Sequence, residues 1–157
     1  MKIKSLLFSS LAAVLLLLPG CGQDKELRTF QSEFDSFCTN VADIDASINA
    51  IDATREDAPA QLLTLLDSLQ TEFETLADMK LPDEFSYMEG LADEAGENMA
   101  LAVEQYHLAY EGETYDASAA NIASQYYERA YKRVQYIITL LHGELPEDVN
   151  VSVDMEE

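Results

Sequence analysis

Tryptophan is absent from this 157-residue chain, and only six glycines, four prolines and two cysteines punctuate it. So few turn-forming residues argue against a sheet protein with many tight turns and favour long helices. Bases are scarce: nine Lys and Arg stand against thirty Asp and Glu, for a formal net charge of −21. That balance argues against a nucleic-acid partner, whose phosphates need basic neutralisation, and against a flat seat on anionic lipid. It favours solubility and discourages self-association. No glycine-rich phosphate loop, nucleophile elbow or haem-attachment cysteine pair is present. The chain therefore offers no residues on which to build a reaction, and no cofactor is expected.

The opening segment is informative. Lys2 and Lys4 precede an uncharged, leucine-rich run from Leu6 to Leu18, the pattern of a secretory signal. The run is too short to cross a bilayer, which takes about 20 residues. It ends in Leu18-Pro19-Gly20-Cys21, which resembles the lipobox of bacterial lipoproteins, with Leu three places before the cysteine and Gly directly before it. Pro19 departs from the small or β-branched residue usual at its position. The resemblance covers residues 1–21 only. It implies a diacylglyceryl group on the Cys21 thiol, cleavage before Cys21, and a mature protein anchored through lipid on the extracytoplasmic side of a bacterial membrane. Two or three acyl chains hold a protein stably where one binds marginally. With Cys21 lipidated, Cys38 has no intramolecular partner, so no disulfide scaffold is expected.

Beyond a tether over 21–24, four amphipathic segments follow. Leu27, Phe30, Phe34, Phe37, Val41, Ile44, Ile48 and Ile51 alternate steps of three and four, a strong helix signal. Pro59 suits the first turn of a second helix with the stripe Leu62, Leu66, Leu69, Phe73 and Leu76, running to about Lys80. Pro82 breaks it, and Asp83 and Glu84 fit the negative-charge preference of a new first turn. The third stripe is Phe85, Met88, Ala92, Ala95, Met99, Ala102, Tyr106 and Ala109, its small residues complementing the phenylalanines of the first. Gly112 is the expected stop. Asp116 is the expected N-cap of the fourth helix, whose stripe reads Ala119, Ala123, Tyr126, Ala130, Val134, Ile137 and Leu141. The repeated step of four around Ala130 predicts locally loosened packing. Gly143 and Pro146 end the helix. The fold expected over 25–143 is all-α, an antiparallel up-down-up-down four-helix bundle. Residues 144–157, with six acids and no bases, form an acidic tail expected to be disordered.

Several patterns invite chemistry. Glu104-x-x-His107 has the spacing of di-iron bundle ligands, but the heptad turns both residues to solvent, and Thr139 stands where a second Glu would precede His142. Asp43-x-Asp45-x-Ser47 opens like a calcium loop, yet Ile48 and Thr54 occupy its glycine and glutamate positions, so a solvated helix face is expected. No metal site is predicted. Cys38, beside the stripe, is expected to be a partly buried core residue. Arg129, Lys132 and Arg133 concentrate the bases among Tyr127, Tyr131 and Tyr136; local pairing with acids is the simpler reading, and a docking patch the functional one. Tyr106, Tyr110, Tyr115, Tyr126 and Tyr127 are expected to gather where the third and fourth helices meet. They cover core there on the simpler reading and form a shallow aromatic site on the other. The candidate binding residues are thus Tyr106, Tyr110, Tyr115, Tyr127, Arg129, Tyr131, Lys132 and Arg133, with Cys21 as the lipidation site.

The expected function is a non-catalytic interaction module of the cell envelope whose partner is an envelope protein or cell-surface component. The alternative is a small-ligand carrier using the tyrosine-rich end.

Overall fold

The computed structural model describes residues 25–112 and 114–146. The signal-like run, Cys21 and the acidic tail beyond Pro146 lie outside the described residues. The described chain is all-helical: α1 (Lys25–Asn49), α2 (Ala58–Ala77), a 3-10 helix (Asp83–Met88), α3 (Glu89–Tyr110) and α4 (Ala117–Leu141). No described residue lies in a strand, and no described helix is long and apolar enough to cross a membrane.

The helix ends follow local chemistry. Pro59 occupies the first turn of α2, where its missing N–H costs no hydrogen bond. Asp116 caps α4, its carboxylate accepting from the backbone N–H of Ser118 at 2.8 Å and of Ala119 at 3.1 Å, two of the donors a helix start leaves unpaired. At the other end Gly143 adopts φ 74°. Its N–H reaches the Leu140 carbonyl at 2.9 Å, and that of Glu144 reaches Thr139 at 3.1 Å. This is a Schellman closure, and its positive φ is what glycine supplies there.

One start differs from expectation. Asp83 and Glu84 open a 3-10 helix, tied by the Phe85 N–H to the Pro82 carbonyl at 2.8 Å, and α3 begins only at Glu89. The extended backbone of Pro82 (ψ 150°) forces a tight re-entry, for which three-residue turns are better suited than four-residue ones.

A single core runs through the helices. Phe30, Phe34, Phe37 and Val41 of α1 join Leu66, Leu69 and Phe73 of α2, Ala95, Met99 and Ala102 of α3, and Ala130, Val134 and Ile137 of α4. Phe37 meets Phe73 edge-on at 5.4 Å between centroids, a favoured aromatic geometry. Gly96 lets α2 and α3 approach closely: a Cβ there would stand 3.4 Å from both the Ala77 Cβ and the Phe73 carbonyl oxygen.

Two stripes depart from the expected register. Ile44, Ile48 and Ile51 are only half-buried, so the seam of α1 outlasts the surface covering it. On α4 it is Tyr127, 5% exposed, that enters the core, while Tyr126 is half-buried at its edge. The buried positions Ala119, Ala123, Tyr127 and Ala130 step by four, four and three. The departure from the heptad therefore falls before Ala130 rather than across it.

Candidate docking surface

Contacts between helices fix which flank of α4 faces which neighbour. The Tyr131 hydroxyl stands 2.8 and 2.9 Å from the two carboxylate oxygens of Asp45 on α1, and the Tyr127 hydroxyl 3.0 Å from Oδ1. The two rings stack at 4.7 Å, with their hydroxyls 3.2 Å apart. Arg133, by contrast, donates from Nε to Glu94 of α3. Tyr127 and Tyr131 therefore line the side toward α1, and Arg133 the side toward α3.

Asp45 had been expected on a solvated face. It is half-buried instead, and burial raises its pKa despite the two tyrosine hydrogen bonds, which pull the other way. Burial likewise pushes both tyrosine hydroxyls well above the ordinary range, with the Asp45 carboxylate adding to the shift. Neutral phenols donating to a carboxylate is the stable arrangement: it ties α1 to α4 and holds no group poised to react.

The other sequence-nominated residues separate into two groups. Tyr110 and Tyr115 pack at 5.2 Å where α3 gives way to α4. Tyr106, largely buried beside them, has its hydroxyl pushed up to about 12, first by burial and then by Tyr110 and Tyr115. The bases form the second group. Arg129 lies 5.3 Å from the centroid of Tyr126, and Lys132 and Arg133 lie 5.6 and 5.7 Å from that of Tyr136. Tyr126, Arg129, Arg133 and Tyr136 follow one another at helical spacings of three, four and three, so they share one face of α4. Arg133 is paired with Glu94, whereas Arg129 is exposed and its one recorded contact among the described residues is the Tyr126 ring.

His107 does not simply face solvent. Its Nε2 lies 2.7 Å from Asp67 of α2 and its Nδ1 2.8 Å from Glu111. These two hydrogen bonds, Asp67 first, raise its pKa above the ordinary histidine value. Glu104 is exposed, and no group of three or more candidate metal ligands assembles among the described residues. Cys38 is half-buried, with its thiol pushed up to about 11 by burial and then by the Asp35 charge. A thiol so raised is a poor nucleophile at neutral pH.

Sequence reasoning passed over three apolar residues left exposed on the outer side of α3 and α4: Leu101 (39% exposed), Leu108 (58%) and Ile122 (40%). The two leucines are seven residues apart, about 10 Å along α3 on one face. The Arg133–Glu94 pair and the Asp116 N–H to Ala109 carbonyl bond at 3.0 Å set the level of α4 against α3. Ile122 then comes level with the stretch between the leucines, on the flank of α4 that Arg133 shares. The available signal was the seven-residue repeat of leucine off the core stripe. No family model, curated protein or solved structure matches this chain.

Proposed function

We propose that this chain is a lipid-anchored, non-catalytic interaction module of a bacterial envelope. Cys21 holds it on the extracytoplasmic side of the membrane, and it meets a protein partner through the outer face of α3 and α4. The anchor rests on the resemblance of Leu18-Pro19-Gly20-Cys21 to a lipobox. The helices run up-down-up-down in antiparallel order on this reading. Contacts along each pair support that order: Lys80, just past the end of α2, meets Glu26 at the start of α1 at 3.0 Å; Gly96, early in α3, lies against Phe73 and Ala77 near the end of α2, while His107, late in α3, reaches Asp67 midway along α2; and Arg133, late in α4, meets Glu94, early in α3.

The observation that carries the docking role is the grouping of Leu101, Leu108 and Ile122. Single exposed apolar side chains are ordinary on protein surfaces, but a group spanning two helices points to contact with another molecule. Arg129 and Tyr126 at its edge add residue types enriched at interface centres. A photo-reactive residue at Leu108, in cells carrying the anchored chain, tests the reading. It is expected to give a discrete crosslinked product that the same residue at Ser68, exposed on α2, does not give. Equal yields from the two positions would contradict the assignment.

A further inference from the structure

We infer that the partner presents to this face an amphipathic helix with basic residues along one flank. The inference rests on the docking role proposed above and identifies the kind of occupant. Leu101 and Leu108 repeat at seven residues, which is the spacing at which a helix laid alongside offers its own apolar side chains. Charge then sets its polarity. On α3, Glu97 and Glu104 are exposed, also seven residues apart, and neither holds an ion pair among the described residues.

Helical geometry puts both glutamates on one side of the leucine row. That side is toward α2, because His107, further round the same way, reaches Asp67. The opposite side of the row faces α4, whose nearest uncommitted charge is Arg129. The leucine row is therefore bordered by two acids without an ion pair on the α2 side and by Asn98 and Gln105 on the other, beyond which Arg129 is exposed on α4. A helix with lysine or arginine along one flank matches Glu97 and Glu104, and an acid on its other flank would meet Arg129. The net charge of −21 draws such a cationic segment in and opposes a second copy of this chain.

Two synthetic helical peptides test the inference against the full chain in detergent, by fluorescence anisotropy at fixed ionic strength. Both carry leucines at seven-residue spacing; one has lysine and the other glutamate along the flank. The lysine peptide is expected to bind at least about tenfold more tightly. Glu97→Lys with Glu104→Lys is expected to reverse that preference, and Leu101→Ser with Leu108→Ser to weaken the lysine peptide by about tenfold or more. These are exposed positions, and an unchanged circular dichroism melt verifies the fold of each variant. Lysine-peptide binding indifferent to the leucine changes would mean attraction to net charge alone and would overturn the inference. So would equal binding of the two peptides, or self-association of the chain that the leucine changes abolish. If position 108 crosslinks a partner in cells but neither peptide binds, the docking face stands and the helical occupant is wrong.

Discussion

Replacing Asp45 with alanine removes a carboxylate that accepts from the hydroxyls of Tyr127 and Tyr131. Both tyrosines are mostly buried, so water cannot readily take the place of the lost acceptor. A buried donor left unpaired costs about 1–3 kcal/mol. The two hydroxyls retain each other at 3.2 Å, which spares one of the two penalties, so the expected loss is about 1–3 kcal/mol. Against a typical domain stability of about 5–15 kcal/mol, that is readily measured by urea unfolding followed at the helical circular dichroism band. The midpoint is expected to fall with the slope unchanged.

Asp45→Asn keeps an acceptor and is expected to cost less than about half as much. Its pH dependence carries a further signature. Because burial raises the Asp45 pKa, the folded state holds that proton more tightly than the unfolded chain does. Its contribution to stability therefore declines as pH rises from the ordinary aspartate value through the raised one. Asp45→Asn is expected to remove that decline. A loss below about 0.5 kcal/mol for Asp45→Ala, which is the scale of an ordinary surface substitution, would refute the reasoning and mean that the hydroxyls find other partners.

Further outcomes are open to direct measurement. Ala95 is fully buried, so Ala95→Phe is expected to overpack the core and cost about 1–3 kcal/mol; an unchanged thermal melt would contradict the packing described. The His107 resonance is expected to titrate above 6.5, since Asp67 and Glu111 favour the imidazolium. The stabilisation it supplies is full below the unfolded value and disappears as pH rises through the folded one. Asp67→Asn should bring the midpoint down, and a midpoint unmoved by that change would remove the pairing. Cys21→Ser is expected to abolish lipid labelling and shift the protein out of the membrane fraction; unchanged fractionation would contradict the anchor.

Much of the fold was legible because it follows from short-range periodicity. Phe30, Phe34, Phe37 and Val41 are buried where their spacing predicts; Asp116 caps α4 with its carboxylate, and Gly143 closes it with the positive φ that the lack of a Cβ permits. What escaped depends on residues far apart in the chain. Tyr127 rather than Tyr126 enters the core, in contact with a carboxylate 82 residues away, and no local pattern encodes that partner. For the same reason Asp45 looked like part of a solvated face, and His107 looked unattached to α2. The apolar pattern of α1 continues through Ile44 and Ile48 and on to Ile51 beyond the helix end, yet periodicity cannot say where neighbouring helices stop covering it. Among the candidate binding residues, Tyr127 and Tyr131, which face α1, and Arg133, which faces α3, lie close in sequence and point to different sides of one helix. Leu101 and Leu108 were passed over because a search for core stripes discards apolar residues on the opposite face.

If the proposed lipid anchor and up-down order hold, the bundle is expected to stand with its tyrosine-rich turn away from the membrane. Three residues, and so four Cα–Cα steps, separate Cys21 from Lys25, so on the proposed anchor α1 starts within about 14 Å of the cysteine at full extension. Its 25 residues then span about 37 Å. In an up-down order, the junction of α2 and α3 shares the membrane-near end, and the turn from α3 to α4 lies at the far one. Fluorescent labels at Asp83 and at Thr114 on the lipidated protein, quenched by probes carried on lipid headgroups, measure this directly. Stronger quenching is expected at Asp83; stronger quenching at Thr114 would contradict this orientation and turn the end of α3 near Leu108 toward the membrane.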